Sequence, residues 1–243
     1  MDTPTKKKTT PPDEPRSLFS HLGELRSRIT RSVVAIVFCS IGAYPAVDLI
    51  IQDFSRQVGK LYFTGPIEAF WARVKISLFL GVLISLPFVL YQVWAFLQKG
   101  LLPKEKRFVT SITLISYALF LAGAALCYFY VLPVGVKFLL AYGSDVLVPL
   151  ITISRYLSFA MSLVVAFGLI FELPIAVGFL VKAGILKAQT LQKQWRFAVV
   201  LIFIAAAALT PGPDVFSQVL MAVPLLVLYA VSIIVARIIE GRR

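Results

Sequence analysis

Six apolar runs separated by short polar gaps organise the chain: residues 32–47, 76–97, 108–132, 156–181, 197–209 and 215–236. A helix rises 1.5 Å per residue and a bilayer core is about 30 Å thick, so about 20 apolar residues suffice to cross. The pattern predicts six transmembrane helices. The fifth run has 13 residues and reaches only about 20 Å as a helix, which brings a buried or re-entrant segment into contention. The turn Thr210-Pro211-Gly212-Pro213-Asp214 separates it cleanly from the sixth run. Two helices joined by a tight turn, with the bilayer thinned around them, fit better.

Polar positions set the orientation. The segment up to Arg31 holds seven lysines and arginines, the 98–107 loop four, the 182–196 loop four and the stretch from Arg237 onward three. Eighteen of the 24 basic residues thus fall on one side, which the positive-inside rule makes cytoplasmic, with both termini there. The other side has two substantial loops, roughly 48–75 and 133–155, and the tight turn. Trp94 and Trp195 are expected near the inner interface and Trp71 near the outer one, as amphipathic anchors.

Residues 1–16, with Lys6-Lys7-Lys8 and several prolines, read as a disordered tail. The polar head is too long for an ordinary signal-peptide n-region, so the first apolar run is read as retained. Residues 17–243 form one membrane domain, opened by an amphipathic segment at about 17–31. There Leu18, Leu22, Leu25 and Ile29 share one face, and His21, Glu24, Arg28 and Arg31 gather on its flank. Pro87, Pro133, Pro174 and Pro224 are either tolerated membrane-helix prolines or the source of bends. The expected fold class is an all-α integral membrane protein, a bent concave bundle whose last two helices are short.

Composition narrows the function. The chain is 59% apolar and 15% charged, with a mean hydropathy of +0.87, which excludes a soluble enzyme. A net charge of +12 would suit nucleic acid, but the basic residues lie in the gaps between spans, so no nucleic-acid partner is expected. Cys39, Cys127 and His21 lie too far apart in the chain for a metal site, and the cysteines differ in depth by roughly 15 Å, too far for a disulfide. No H-E-x-x-H or G-x-S-x-G motif occurs. No catalytic residue, metal or cofactor is expected.

Four places hold candidate chemistry. Glu24 is either an i,i+4 partner of Arg28, worth a few tenths of a kcal/mol, or a carboxylate presented to a cationic ligand. Glu105 is the only acid in the basic loop 99–107, where it at least offsets repulsion. Glu172 is the one ionisable residue deep inside a span. A charge there costs about 2.5–3.5 kcal/mol on insertion scales, so it must meet a cavity or partner or carry a proton. Asp214, after Pro211, can cap the last helix.

Together, His21-Leu22-x-Glu24-Leu25-Arg26-x-Arg28, Tyr91-Gln92-Val93-Trp94-Ala95-Phe96, Phe171-Glu172-Leu173-Pro174 and Leu209-Thr210-Pro211 through Asp214-Val215-Phe216-Ser217-Gln218 resemble the TatC family. Members are the polytopic subunit of the twin-arginine protein translocase of the inner membrane. The resemblance runs from about Ser17 to the end; the stretch 48–62 matches poorly. It implies a receptor for twin-arginine signal peptides and the core of a translocase for folded proteins. Glu24 and Glu105 would be its recognition acids, with Phe96 lining the site and Arg26 in the surrounding motif. A guanidinium matches a carboxylate through paired hydrogen bonds, so two arginines call for acids. Glu172 would contact TatA- or TatB-like single-span subunits; self-association and contact with the lipid bilayer are also implied, and Pro211 and Asp214 belong to the family's outer turn. The competing reading, a proton-coupled small-solute transporter using Glu172, gives no reason for the interfacial acid–base helix.

Overall fold

The computed structural model describes residues 18–101, 106–141, 143, 150–209 and 215–241. Glu105, Pro211, Asp214 and the 1–16 tail lie outside these. Ten α-helices make up the described chain. The first, α1 (Leu18–Ala43), is continuous from the amphipathic segment through the first apolar run. A 3-10 turn at Tyr44–Ala46, where Pro45 sits, leads into α2 (Val47–Val58). Next comes α3 (Pro66–Leu101), 36 residues long, which passes through Pro87 unbroken. It begins ten residues before the apolar run that predicts it: Glu68, Arg73 and Lys75 interrupt apolarity there, not helicity.

The third span joins α4 (Lys106–Leu126), a π-helical turn at Cys127–Val131 and α5 (Leu132–Leu140). The wide turn accompanies Pro133, whose missing N–H disturbs the ladder. The fourth span is also broken, into α6 (Ile153–Phe171) and α7 (Leu173–Lys182). Its joint is Glu172, with Pro174 in the first turn of α7. So two of the four prolines mark interruptions of the α-helix and two do not. The short α8 (Ala188–Lys193) precedes α9 (Trp195–Leu209) and α10 (Val215–Glu240). At 15 residues α9 is as short as expected. The last helix is not: α10 has 26 residues, about 39 Å of rise, because Pro224 does not stop it and Arg237–Glu240 extend it past the apolar run. Five spans are long and apolar enough to cross a bilayer, and α9 is the shorter sixth.

Packing centres on α3, α4 and α6. Ile76, Phe120, Leu157, Leu163 and Phe167 are wholly buried there. Small residues permit close helix approach, as in other membrane bundles. A Cβ on Gly81 would fall 2.6 Å from the backbone nitrogen of Ser40, so α1 lies directly on α3. Ser77 Oγ donates to the Ser40 carbonyl at 2.6 Å beside it. A Cβ on Gly168 would meet the Phe120 ring at 2.5 Å, fixing α6 on α4. The opposite face of α1, with Val34, Phe38 and Ile41, is exposed, as a lipid-facing surface should be.

Described segments on either side of α2 and before α6 pack together. Tyr62 and Thr152 form a parallel bridge, with Tyr62 N donating to the Ile151 carbonyl at 3.0 Å and Ile153 N donating to the Tyr62 carbonyl at 2.8 Å. Buried Phe54 of α2 stands edge-on to Tyr128 and Tyr156, and the Tyr128 hydroxyl donates to Asp53. Cys39 and Cys127 are both unbridged, and Cys127 is buried. Trp71 and Trp195 are exposed, but Trp94 is 6% exposed and not an interfacial anchor.

Candidate functional site

Glu24 and Arg28 lie one turn apart on α1, so their side chains meet on one face. Arg28 Nη2 approaches Glu24 Oε1 at 2.7 Å and Nε donates to the same oxygen at 3.0 Å. The guanidinium reaches further, to the end of α3, where Nη1 donates to Gln92 Oε1 at 2.8 Å. Gln92 is buried, so its amide oxygen is a fixed acceptor. The result is a chain, Glu24–Arg28–Gln92, that holds the carboxylate at one place relative to α3. Arg28's side chain is 14% exposed and Glu24's 25%. The carboxylate therefore keeps access to solvent while the arginine behind it is packed.

Phe96, one turn beyond Gln92 on α3, is half-buried. Arg26 is exposed and lies off this cluster, two residues from Glu24 on the helix. The Thr30 hydroxyl donates to its backbone carbonyl at 2.9 Å. Thus α1 and α3 bring Glu24, Arg28, Gln92 and Phe96 into one neighbourhood, whereas Arg26 points elsewhere.

Glu172 forms a second locus. Both carboxyl oxygens are buried and make no hydrogen bond among the described residues. Its backbone carbonyl accepts from Ile175 and Ala176 at 3.1 and 2.9 Å, starting α7. The hydroxyl of Ser116, wholly buried on α4, lies beside the carboxyl. Ser116 Oγ in turn accepts from the Trp94 indole at 2.8 Å. Trp94 also packs on Phe179 of α7, with ring centroids 5.4 Å apart. Next to this locus an apolar cavity of about 550 Å³ opens between α4, α7 and α10, lined by Ile115, Phe171, Phe179 and Leu228 among others.

The two loci share one stretch of α3. Gln92 turns toward Arg28 and Trp94, two residues on, turns toward Ser116. Sequence reading missed Gln92 and Ser116 as partners. Their only signal is a polar residue in an apolar run, and serines are common in membrane helices. No group of three or more metal-ligating side chains occurs among the described residues.

Known proteins resemble the chain in sequence and in shape. The family model for the Sec-independent protein translocase protein TatC matches residues 20–224. The TatC protein of Carboxydothermus hydrogenoformans is 44% identical over 234 residues, covering 95% of this chain and 96% of that one. That of Helicobacter pylori is 38% identical over 224 residues, covering 92% and 88%. A crystal structure of the twin arginine translocase receptor TatC superposes with a TM-score of 0.79 at 36% identity, covering 90% of this chain and 99% of that one. A second, of the same receptor in DDM, gives 0.80 at 37% identity, with 89% and 99% covered. Six apolar helices in this order, matched over nearly their whole length by sequence and by shape, make the chain a multi-pass membrane protein that belongs to the TatC family of protein translocase subunits.

Proposed function

We propose that this chain is the receptor for twin-arginine signal peptides and the core of a translocase exporting folded proteins across the inner membrane, with both termini cytoplasmic. The observation that carries the proposal is the Glu24 carboxylate, set by Arg28 and anchored through it to buried Gln92. Arg28 already offers Glu24 one guanidinium. An incoming arginine would add to this arrangement or take Arg28's place, using an acid whose position is settled beforehand. Such preorganisation lowers the ordering cost of binding. Glu105 supplies the second acid, and Phe96 an apolar wall for the residues that follow the arginine pair. Arg26 belongs to the surrounding surface.

Glu172 serves a different contact. Ser116 is the polar side chain beside the buried Glu172 carboxyl, and one hydroxyl leaves acceptor capacity for a polar group from outside the chain, since an unsatisfied buried group costs about 1–3 kcal/mol. A polar side chain on a single-span TatA- or TatB-like subunit would meet that need, and a second copy of this chain would provide further contacts. Pro211 and Asp214 would shape the outer turn between the last two spans. The solute-carrier reading gains nothing from the family.

The test uses the purified full chain at low salt, with companion subunits supplied, and a fluorescent signal peptide carrying paired arginines or paired lysines. The expected result is preference for arginine and a tenfold to hundredfold loss in Glu24→Gln, since hydrogen bonds to charged groups are worth about 1.5–3 kcal/mol. Lys137→Gln, in the exposed part of α5, should bind normally. Equal affinity for both peptides would sink the receptor reading.

A further inference from the structure

Lys75 is a basic residue on the sparsely charged side of the chain, one position before the long apolar run of α3. Its ammonium donates to Ser154 Oγ at 3.4 Å and to Ser158 Oγ at 3.3 Å on α6. Among the described residues no carboxylate forms an ion pair with it. The nearby acids are committed elsewhere. Asp48 pairs with Arg73 at 2.8 Å, and Glu68 accepts the Thr64 amide and hydroxyl at 2.6 and 2.7 Å and the Ser154 amide at 3.2 Å. Serine oxygens satisfy hydrogen bonds but do not neutralise a cation at the edge of the hydrocarbon. Both serine hydroxyls accept from the lysine, and each keeps one proton of its own to donate.

Directly below this cluster runs a groove of about 490 Å³ between α3 and α6. Apart from Lys75 and Ser162 its walls are apolar, including Phe79, Val82, Val165 and Leu169. Along α6 the groove runs from Met161 to Leu169, eight residues and a rise of roughly 12 Å, most of one leaflet of a 30 Å core. A cation and two hydroxyls stand at the rim of an open apolar groove that runs most of a leaflet, matching the polar and apolar parts of a phospholipid.

We propose that this groove binds one anionic glycerophospholipid, its phosphate on Lys75, Ser154 and Ser158 and an acyl chain along α3 and α6. Charge complementarity favours an anionic lipid over a zwitterionic one, whose own ammonium would repel the lysine. The proposal needs only that the chain lies in a bilayer, and so stands apart from the receptor reading.

The experiment places the full chain in phosphatidylcholine nanodiscs with a trace of phosphatidylglycerol carrying a diazirine on its acyl chain. Photolysis and peptide mapping should concentrate labels at Phe79, Val82, Val165 and Leu169, and more than with a phosphatidylcholine probe. Lys75→Gln should lower groove labelling about fivefold, the equivalent of roughly 1 kcal/mol for one basic group near a membrane surface. Lys75→Arg should keep it, Ser158→Ala should reduce it less, and Lys137→Gln should leave it unchanged. Equal labelling by both headgroups, no loss in Lys75→Gln, or labelling of exposed Val200 and Ile204 on α9 as strong as in the groove would overturn the proposal. So would displacement of the probe by a companion single-span subunit, which would assign the groove to a protein helix.

Discussion

Glu24 and Glu172 are the same residue in opposite circumstances. Glu24, near the start of α1, has an arginine at 2.7 Å that is itself tied to α3. Glu172, at the joint of α6 and α7, has both oxygens buried and no hydrogen bond among the described residues. The first is satisfied from within and partly exposed, so a cationic ligand can compete for it in water at modest cost. The second has its oxygens buried with Ser116 beside them, so a partner's hydrogen bond there would face little competition from solvent. The difference teaches that charge alone does not mark a site's role. In the proposed reading, the supply of partners within the fold would separate a reversible recognition acid from one that awaits a subunit.

That contrast can be broken at its shared segment. Trp94→Ala removes the indole that donates to Ser116 and stacks near Phe179. Loss of a buried tryptophan should cost about 3–5 kcal/mol, read as a lower thermal midpoint in detergent. An unchanged midpoint would show that the α3–α4–α7 contact contributes little. Gln92→Leu acts on the other side of α3 and keeps the volume while removing the side-chain acceptor that Gln92 offers Arg28. Stability should fall by about 1.5 kcal/mol, the low end for a hydrogen bond to a charge. Arginine-peptide affinity should fall too, by less than in Glu24→Gln; an unaltered affinity would mean that Arg28 needs no anchor.

Two smaller effects sharpen the comparison. Glu172→Gln preserves hydrogen-bonding atoms and should leave association with a single-span partner nearly unchanged. Glu172→Ala should weaken it by about 1–2 kcal/mol, the usual worth of such a bond in a membrane. Co-purification yield at graded detergent concentrations distinguishes these outcomes, and equal behaviour of the two variants would remove the hydrogen bond from the account. At the weak end stands the Asp48–Arg73 pair, 2.8 Å apart with both side chains well exposed. Asp48→Asn should change stability by less than about 1 kcal/mol, because water screens such pairs. A larger loss would make the contact between α2 and α3 more rigid than its exposure suggests.

Hydrophobic patterning was enough to read six spans, their order and the short fifth helix, because a bilayer demands long apolar helices whatever their packing. It also singled out Glu24 and Glu172, since a lone acid in an interfacial basic helix or in mid-span has few inexpensive explanations. The pattern misjudged what lies at the edges of the runs. Helix α3 starts at Pro66, the stretch around 48–62 holds α2 with Phe54 locked into an aromatic cluster, and α10 is long. Hydrogen bonding of the backbone continues through polar residues that hydropathy treats as gaps.

What the sequence determined by itself is therefore the membrane class, the number of crossings and the rare charged positions, all set by the free energy of moving residues between water and lipid. Only the tertiary structure decided which polar groups meet: Arg28 with Gln92 across 64 positions of chain, Trp94 with Ser116, Lys75 with Ser154 and Ser158. Such pairings depend on helix rotation and on close approaches like Gly81 against Ser40. Among helices already surrounded by lipid, hydropathy is nearly indifferent to rotation, so contact geometry alone chooses the neighbours.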